Sequence, residues 1–121
     1  MNLSWKCVWV WLLAGCTLAA HDPWTPTDTA FQAACIAADL IDWHQTRELA
    51  SRPGMWENNP VMGHYPSVAA VDRYFAESIV LGATVSYLLP RKYRRLHQVF
   101  ILSLETVCIR RNVKLGVSIR F

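Results

Sequence analysis

The chain has 121 residues, 53% of them apolar, 12% aromatic and only 17% charged. That length holds one domain at most, and the apolar weight excludes disorder. Four Cys, five scattered Gly and no heptad pattern exclude a disulfide-dense miniprotein, a collagen-like repeat and a coiled coil. Charge below the ~25% usual in soluble chains shifts the expectation toward membrane association.

Lys6 followed by the apolar run 8–14, with Trp9 and Trp11 inside it, has the anatomy of an export signal. Directly behind it stands Leu13-Ala14-Gly15-Cys16, which resembles a lipobox. The resemblance implies cleavage after Gly15, a diacylated thiol at Cys16 bearing palmitate-like chains, and acylation of the new amine. Residues 1–15 are then a signal peptide, and 16–28 a lipidated Cys with an extended tether. The competing reading is an uncleaved membrane helix over residues 3–20. Thr17 is not the Asp that, by the same resemblance, retains lipoproteins at the inner membrane, so either membrane of a bacterial cell envelope stays open. Cys35 and Cys108 lie in apolar helical runs, where a disulfide and two buried thiols are both open readings.

Along the mature chain, Pro23 and Pro26 mark a tether that ends in a helix N-cap at Thr27 or Asp28. A first helix over 29–50, with Phe31, Ala34, Cys35, Ala38, Ile41 and Leu49 near helical spacing, stops at Pro53-Gly54. Residues 51–67, rich in Pro, Gly and Asn, form a long loop. Ser67 caps a second helix that runs to Leu89 and ends at Pro90; it is uncharged from Ser78 onward. A third helix runs from Leu96 to about Ile109. Residues 113–121 alternate apolar and polar side chains, which predicts a strand or extended tail, and one strand is too few for a barrel. The expected fold is all-α, a three-helix hydrophobic bundle over 29–121 embedded in the membrane, with transmembrane helices whose topology the positive-inside rule leaves open; a periplasmic, self-packed helical domain is the other option.

Charge is unevenly spread. From residue 22 to 89 there are three basic and eight acidic side chains, and from 90 to 121 eight basic and one acidic. The basic groups Arg91, Lys92, Arg94, Arg95, Arg110 and Arg111 bracket the third helix and are expected to meet anionic lipid headgroups. Nucleic acid is not an expected partner of an exported, acylated chain; an envelope protein is. No cofactor is implied.

The segments Asp42-Trp43-His44-Gln45-Thr46, Glu57-Asn58-Asn59-Pro60-Val61-Met62-Gly63, Pro66-Ser67 and Tyr74-Phe75 together resemble a family of small uncharacterised bacterial membrane proteins and lipoproteins. Its marks are an Asp-x-x-Gln-Thr helix end and a Glu-x-Asn-Pro-x-x-Gly loop, and the likeness covers roughly residues 39–121. It implies clustered hydrophobic helices and no particular reaction.

Two sets of residues carry candidate chemistry. Asp39 and Asp42 share a helix face, and with Glu77, His97 and Glu105 they form either a metal site or proton relay, or the polar contacts that hold apolar helices in register. In the second case Ser78, Thr84, Ser86 and Ser103 add interhelical hydrogen bonds. No Glu-x-x-His pair accompanies them, so no metal is assigned. The loop residues Glu57, Asn58, Asn59, Pro60 and Gly63 form either a locked turn, with Glu57 accepting from the Gln45-Thr46 end of the first helix, or a ligand site. No catalytic residue stands out. The expected function is therefore a lipid-anchored envelope protein with an accessory, structural or interaction role. The alternatives are a metal- or lipid-handling membrane enzyme using the polar cluster, and a ligand-binding envelope protein using the loop.

Overall fold

A computed structural model describes residues 22–117, which form three α-helices: α1 (Pro26–Ala50), α2 (Val68–Leu88) and α3 (Arg91–Lys114). The expected signal segment, Cys16 and the tether up to residue 21 lie outside the described residues, as do residues 118–121.

α1 begins earlier than the expected cap at Thr27 or Asp28. Thr25 Oγ1 accepts from the Asp28 amide at 3.2 Å, and Asp28 Oδ2 accepts from the Thr25 amide at 2.9 Å. This reciprocal capping box, with Pro26 pre-set for the first helical position, satisfies amides that a cap two residues later would strand. α2 starts as expected at Ser67, whose hydroxyl accepts from the Ala70 amide at 3.2 Å, and its path ends before Pro90.

α3 starts at Arg91, five residues before the expected Leu96. Pro90 has no side chain with which to cap it; the Arg91 amide donates instead to Asp22 Oδ2 at 2.7 Å. That cap comes from 69 positions upstream, beyond any local pattern. At the other end, the expected strand over 113–121 is not formed by residues 113–117. Val113 and Lys114 belong to α3, and Gly116 takes φ +77°. The Val117 amide then donates to the Asn112 carbonyl and the Gly116 amide to that of Val113, both at 3.0 Å. This helix-ending Schellman turn satisfies two carbonyls that an extended tail would leave open.

α1 packs on both arms of the α2–α3 hairpin, most extensively on α3. Its contact with α2 is apolar and aromatic: Trp43 stacks on Phe75 with centroids 6.0 Å apart, and Val71 is fully buried. Its contact with α3 is largely polar. Among the described residues seven apolar side chains are buried and nine polar ones, including Asp42, Gln45, Arg94, Gln98 and Asn112. The expected apolar stripe of α1 is thus only partly inward: Cys35, Ala38 and Leu49 are buried, Phe31 and Ile41 half-buried, and Ala34 exposed. The hydroxyls of Thr84 and Ser103 do not bridge helices. They donate back to the carbonyls of Val80 at 2.8 Å and Val99 at 2.7 Å.

The transmembrane reading is overturned, because among the described residues no helix is long and apolar enough to cross a membrane. The uncharged part of α2, residues 78–88, spans only ~17 Å at ~1.5 Å per residue. That is about half of a ~30 Å hydrocarbon core. α3 carries cations at both ends, and α1 has Asp39 and Asp42 midway.

Candidate functional site

α1, α3 and the 51–67 loop bring Asp39, Asp42, Glu57 and Glu105 into one polar seam. Asp39 and Asp42, one helical turn apart, are both buried on the side of α1 that faces α3. The Asp42 carboxylate accepts from Asn112 Nδ2 at 2.7 Å, and the same amide reaches Gln45 Oε1 at 3.4 Å. Glu105 meets Asp42 carboxyl to carboxyl, and no protein donor reaches Glu105 Oε2. Such a contact is favourable only when a proton lies between the two groups.

The electrostatics agree. Burial, then the charges of Asp42 and Asp39, push Glu105 up to about 8. Burial, with the Glu57 charge next, raises Asp42 to about 6, and burial alone raises Asp39 to about 6. Near neutrality the Asp42–Glu105 pair therefore holds one proton. Tyr74 from α2 closes the seam, its hydroxyl against Asn59 and Ser78 and its acidity lowered by burial.

Of the five residues expected to cluster, the structure unites Asp39, Asp42 and Glu105. Glu77 is exposed on α2. His97 directs Nε2 to the Gly82 carbonyl at 3.2 Å, on the α2 side of α3, and burial depresses its basicity. Among the described residues no three His, Cys, Asp or Glu side chains are placed to hold a metal ion. Glu57, which sequence reasoning put with the loop, is the acid that joins the seam.

The loop is a self-bonded turn. Glu57 Oε1 accepts from the Asn59 amide at 2.8 Å, and not from the Gln45-Thr46 helix end as expected. Asn59 Oδ1 accepts from the Val61 amide at 3.0 Å, its carbonyl accepts from Met62 and Gly63, and the Glu57 amide donates to the His64 carbonyl at 2.8 Å. Gly63 has φ +80°, with open space where a Cβ would stand. Gly63→Ala is therefore expected to cost about 1–2 kcal/mol through backbone strain alone. Thermal melting would show it as a lower midpoint with unchanged helical circular dichroism.

Between loop and seam lies a cleft of about 40 Å³, lined by Asp42, Thr46, Glu57, Asn59, Met62 and Cys108 among others. It admits water-sized occupants, far below the ~300–1,000 Å³ of small-molecule pockets. Cys108 offers no nucleophile, since burial and then the charges of Asp42, Glu105 and Glu57 push its thiol up to about 11. Cys35 and Cys108 are unbonded to each other; Cys35 Sγ donates to the Gln98 carbonyl at 3.3 Å.

A second polar centre was not anticipated. Arg94, placed by sequence among the headgroup-facing cations, is fully buried. Its guanidinium donates to Asp28 Oδ2 at 2.9 Å, to the Ser86 carbonyl at 2.9 Å, to that of Leu89 at 3.1 Å and to that of Asp22 at 3.0 Å. Arg95 donates to Asp28 Oδ1 at 2.9 Å and lies 4.0 Å over the Phe31 ring. Burial alone would raise the Asp28 carboxyl, but hydrogen bonds from Thr25 and Arg94 and the Arg94 charge outweigh it and hold the group below its ordinary value. The missed signal was the spacing of polar residues: Arg94, Gln98, Glu105 and Asn112 recur on one face of α3, opposite its apolar side chains. Comparison of the chain with protein-family models, with curated proteins and with solved structures finds no match to any of them.

Proposed function

We propose that the chain is a lipid-anchored component of the bacterial cell envelope, held by acyl chains on Cys16, and that its helical domain is an accessory, structural or interaction element. The likeness of residues 13–16 to a lipobox supports the anchor, and the family resemblance across residues 39–121 accords with it. The carrying observation is the seat of Asp22. Asp22 is hydrogen-bonded at the α2–α3 turn, six residues after Cys16. Six peptide units reach at most ~22 Å whatever their conformation. An acylated Cys16 therefore keeps the bundle against the bilayer.

Intact mass of the protein extracted from bacterial membranes tests the reading. The expected product lacks residues 1–15 and carries a diacylglyceryl group and an amide-linked acyl chain at Cys16. Cys16→Ala should abolish all three changes. An unmodified chain still bearing Met1 would overturn it.

A further inference from the structure

α3 packs inside out. Its polar residues Arg94, Gln98, Glu105 and Asn112 face α1 and α2, while Tyr93, Leu96, Val99, Phe100, Leu104 and Val107 stand 44–65% exposed. These six recur at three- and four-residue steps and form one continuous stripe along the helix. The neighbouring arm repeats the pattern: Val80, Leu81 and Leu88 of α2 are 41–67% exposed. Glu77, one turn before Val80, marks where that stripe ends. Together the two stripes leave several hundred Å² of apolar surface unpartnered, more than a monomer in water ordinarily carries.

Charge says what covers it. Exposed Arg91 and Lys92 flank the stripe of α3 at one end, and exposed Arg110 and Lys114 at the other. The single acid of α3, Glu105, is turned into the seam. An apolar strip with cations at both ends and no exposed acid matches an anionic bilayer surface, where cations meet phosphates and the strip meets acyl chains. Tyr87 and Tyr93, beside the cations of the turn, suit the headgroup boundary.

We infer that the α2–α3 hairpin docks flat into the headgroup–acyl boundary of an anionic bilayer, apolar stripes downward, without crossing it. The inference rests on the lipid-anchor reading for where the bilayer lies. Asp22 caps Arg91, so the anchor sits beside the cationic turn. α3 is 24 residues long, about 36 Å at ~1.5 Å per residue. Standing upright it would lift Val107 and Arg110 far from the membrane, whereas lying flat it brings both cationic ends to the phosphates.

The test uses the full chain with the photoreactive residue p-benzoylphenylalanine in place of Phe100, and separately in place of the exposed His44 of α1. Each is reconstituted in phosphatidylcholine vesicles with or without phosphatidylglycerol. Illumination is expected to give a phospholipid mass adduct at position 100, reduced about tenfold at position 44 and reduced several-fold when phosphatidylglycerol is omitted. A covalent dimer of the chain in place of the lipid adduct, equal adducts at both positions, or indifference to phosphatidylglycerol would overturn the proposal. The same illumination in bacterial membranes adds the remaining competitor, since a protein adduct at position 100 replacing the lipid one would also overturn it. The N-terminal mass reports the anchor separately: lipid adducts on an unacylated chain keep the docking and remove the anchor, and an acylated chain without adducts does the reverse.

Discussion

Arg94→Leu is expected to lower the stability of the bundle by about 3–5 kcal/mol, the cost of stripping one partner from a buried ion pair. The guanidinium ties three parts of the chain at once: the Asp22 carbonyl and Asp28 at the N-terminal end, the carbonyls of Ser86 and Leu89 at the end of α2, and α3 itself. Removing it leaves two carbonyls of the α2 terminus without their donor and Asp28 with Arg95, whose side chain is 28% exposed, as its one remaining cation. Leu restores volume but supplies no donor. Arg94→Lys should recover only a fraction, because an ammonium group cannot reproduce a planar fork aimed at five oxygens. The check is chemical denaturation of the three forms, combined with hydrogen exchange at the Arg91 amide. That amide should lose protection with Arg94, since its cap, Asp22, is held by the same guanidinium. If Arg94→Leu melts with the parent, Asp28 and Arg94 are not the lock the geometry describes.

Element boundaries set by neighbours in sequence were legible, and those set by distant residues were not. Ser67 and Pro90 mark α2 from both sides within four residues of the helix, so that helix could be read directly. The start of α3 depends on Asp22, and its end on Gly116 adopting a left-handed conformation. Alternation over 113–117 satisfies a strand pattern equally well, because a period of two over five residues does not exclude one turn of helix followed by a cap. The faces of the helices were harder. For a protein folded in water, the apolar period of α1 predicts its buried stripe. Here the buried period of α1 runs through Asp28, Cys35, Ala38, Asp39, Asp42, Gln45 and Leu49, mostly polar. The apolar period of α3 faces outward. Recognising that inversion required weighing polar spacing on α1 and α3 together, since Asp28 with Arg94 and Asp42 with Asn112 are matched only across helices. Asp39, Asp42 and Glu105 were readable as a group, because acids inside apolar helices seek one another or a donor. Glu77 and His97 were not separable from them in sequence, as their helical phase puts them elsewhere only once α1 has chosen its side of the hairpin.

Glu105→Gln is expected to stabilise the protein at alkaline pH and to flatten its dependence on pH. Glu105 is raised to about 8 and Asp39 to about 6, both above the values such acids have in an unfolded chain. Between roughly pH 4.5 and 8 the folded state holds a proton that the unfolded state has released, so stability is greatest at the acidic end of that window and declines as pH rises through it. Asp28 works in the opposite sense: its carboxyl is held down in the folded state, so its contribution is lost only as pH falls below the ordinary carboxylate range. The parent should therefore be most stable near pH 5 and lose about 2–3 kcal/mol by pH 9, after allowing for partial solvent screening of Glu105. Gln cannot ionise but still donates an N–H to Asp42. With it, most of that loss should vanish, raising the melting midpoint at pH 9 by about 10 °C while shifting it little at pH 5. Asp42 should stay raised, because burial and the charges of Glu57 and Asp39 that push it up are untouched, and the Gln amide replaces the Glu105 hydrogen bond that holds it down. Carbon-detected titration of the Asp42 carboxyl, alongside melts across the pH range, separates this from a general gain in packing. A variant equally stabilised at both pH values would show that the seam does not hold a shared proton.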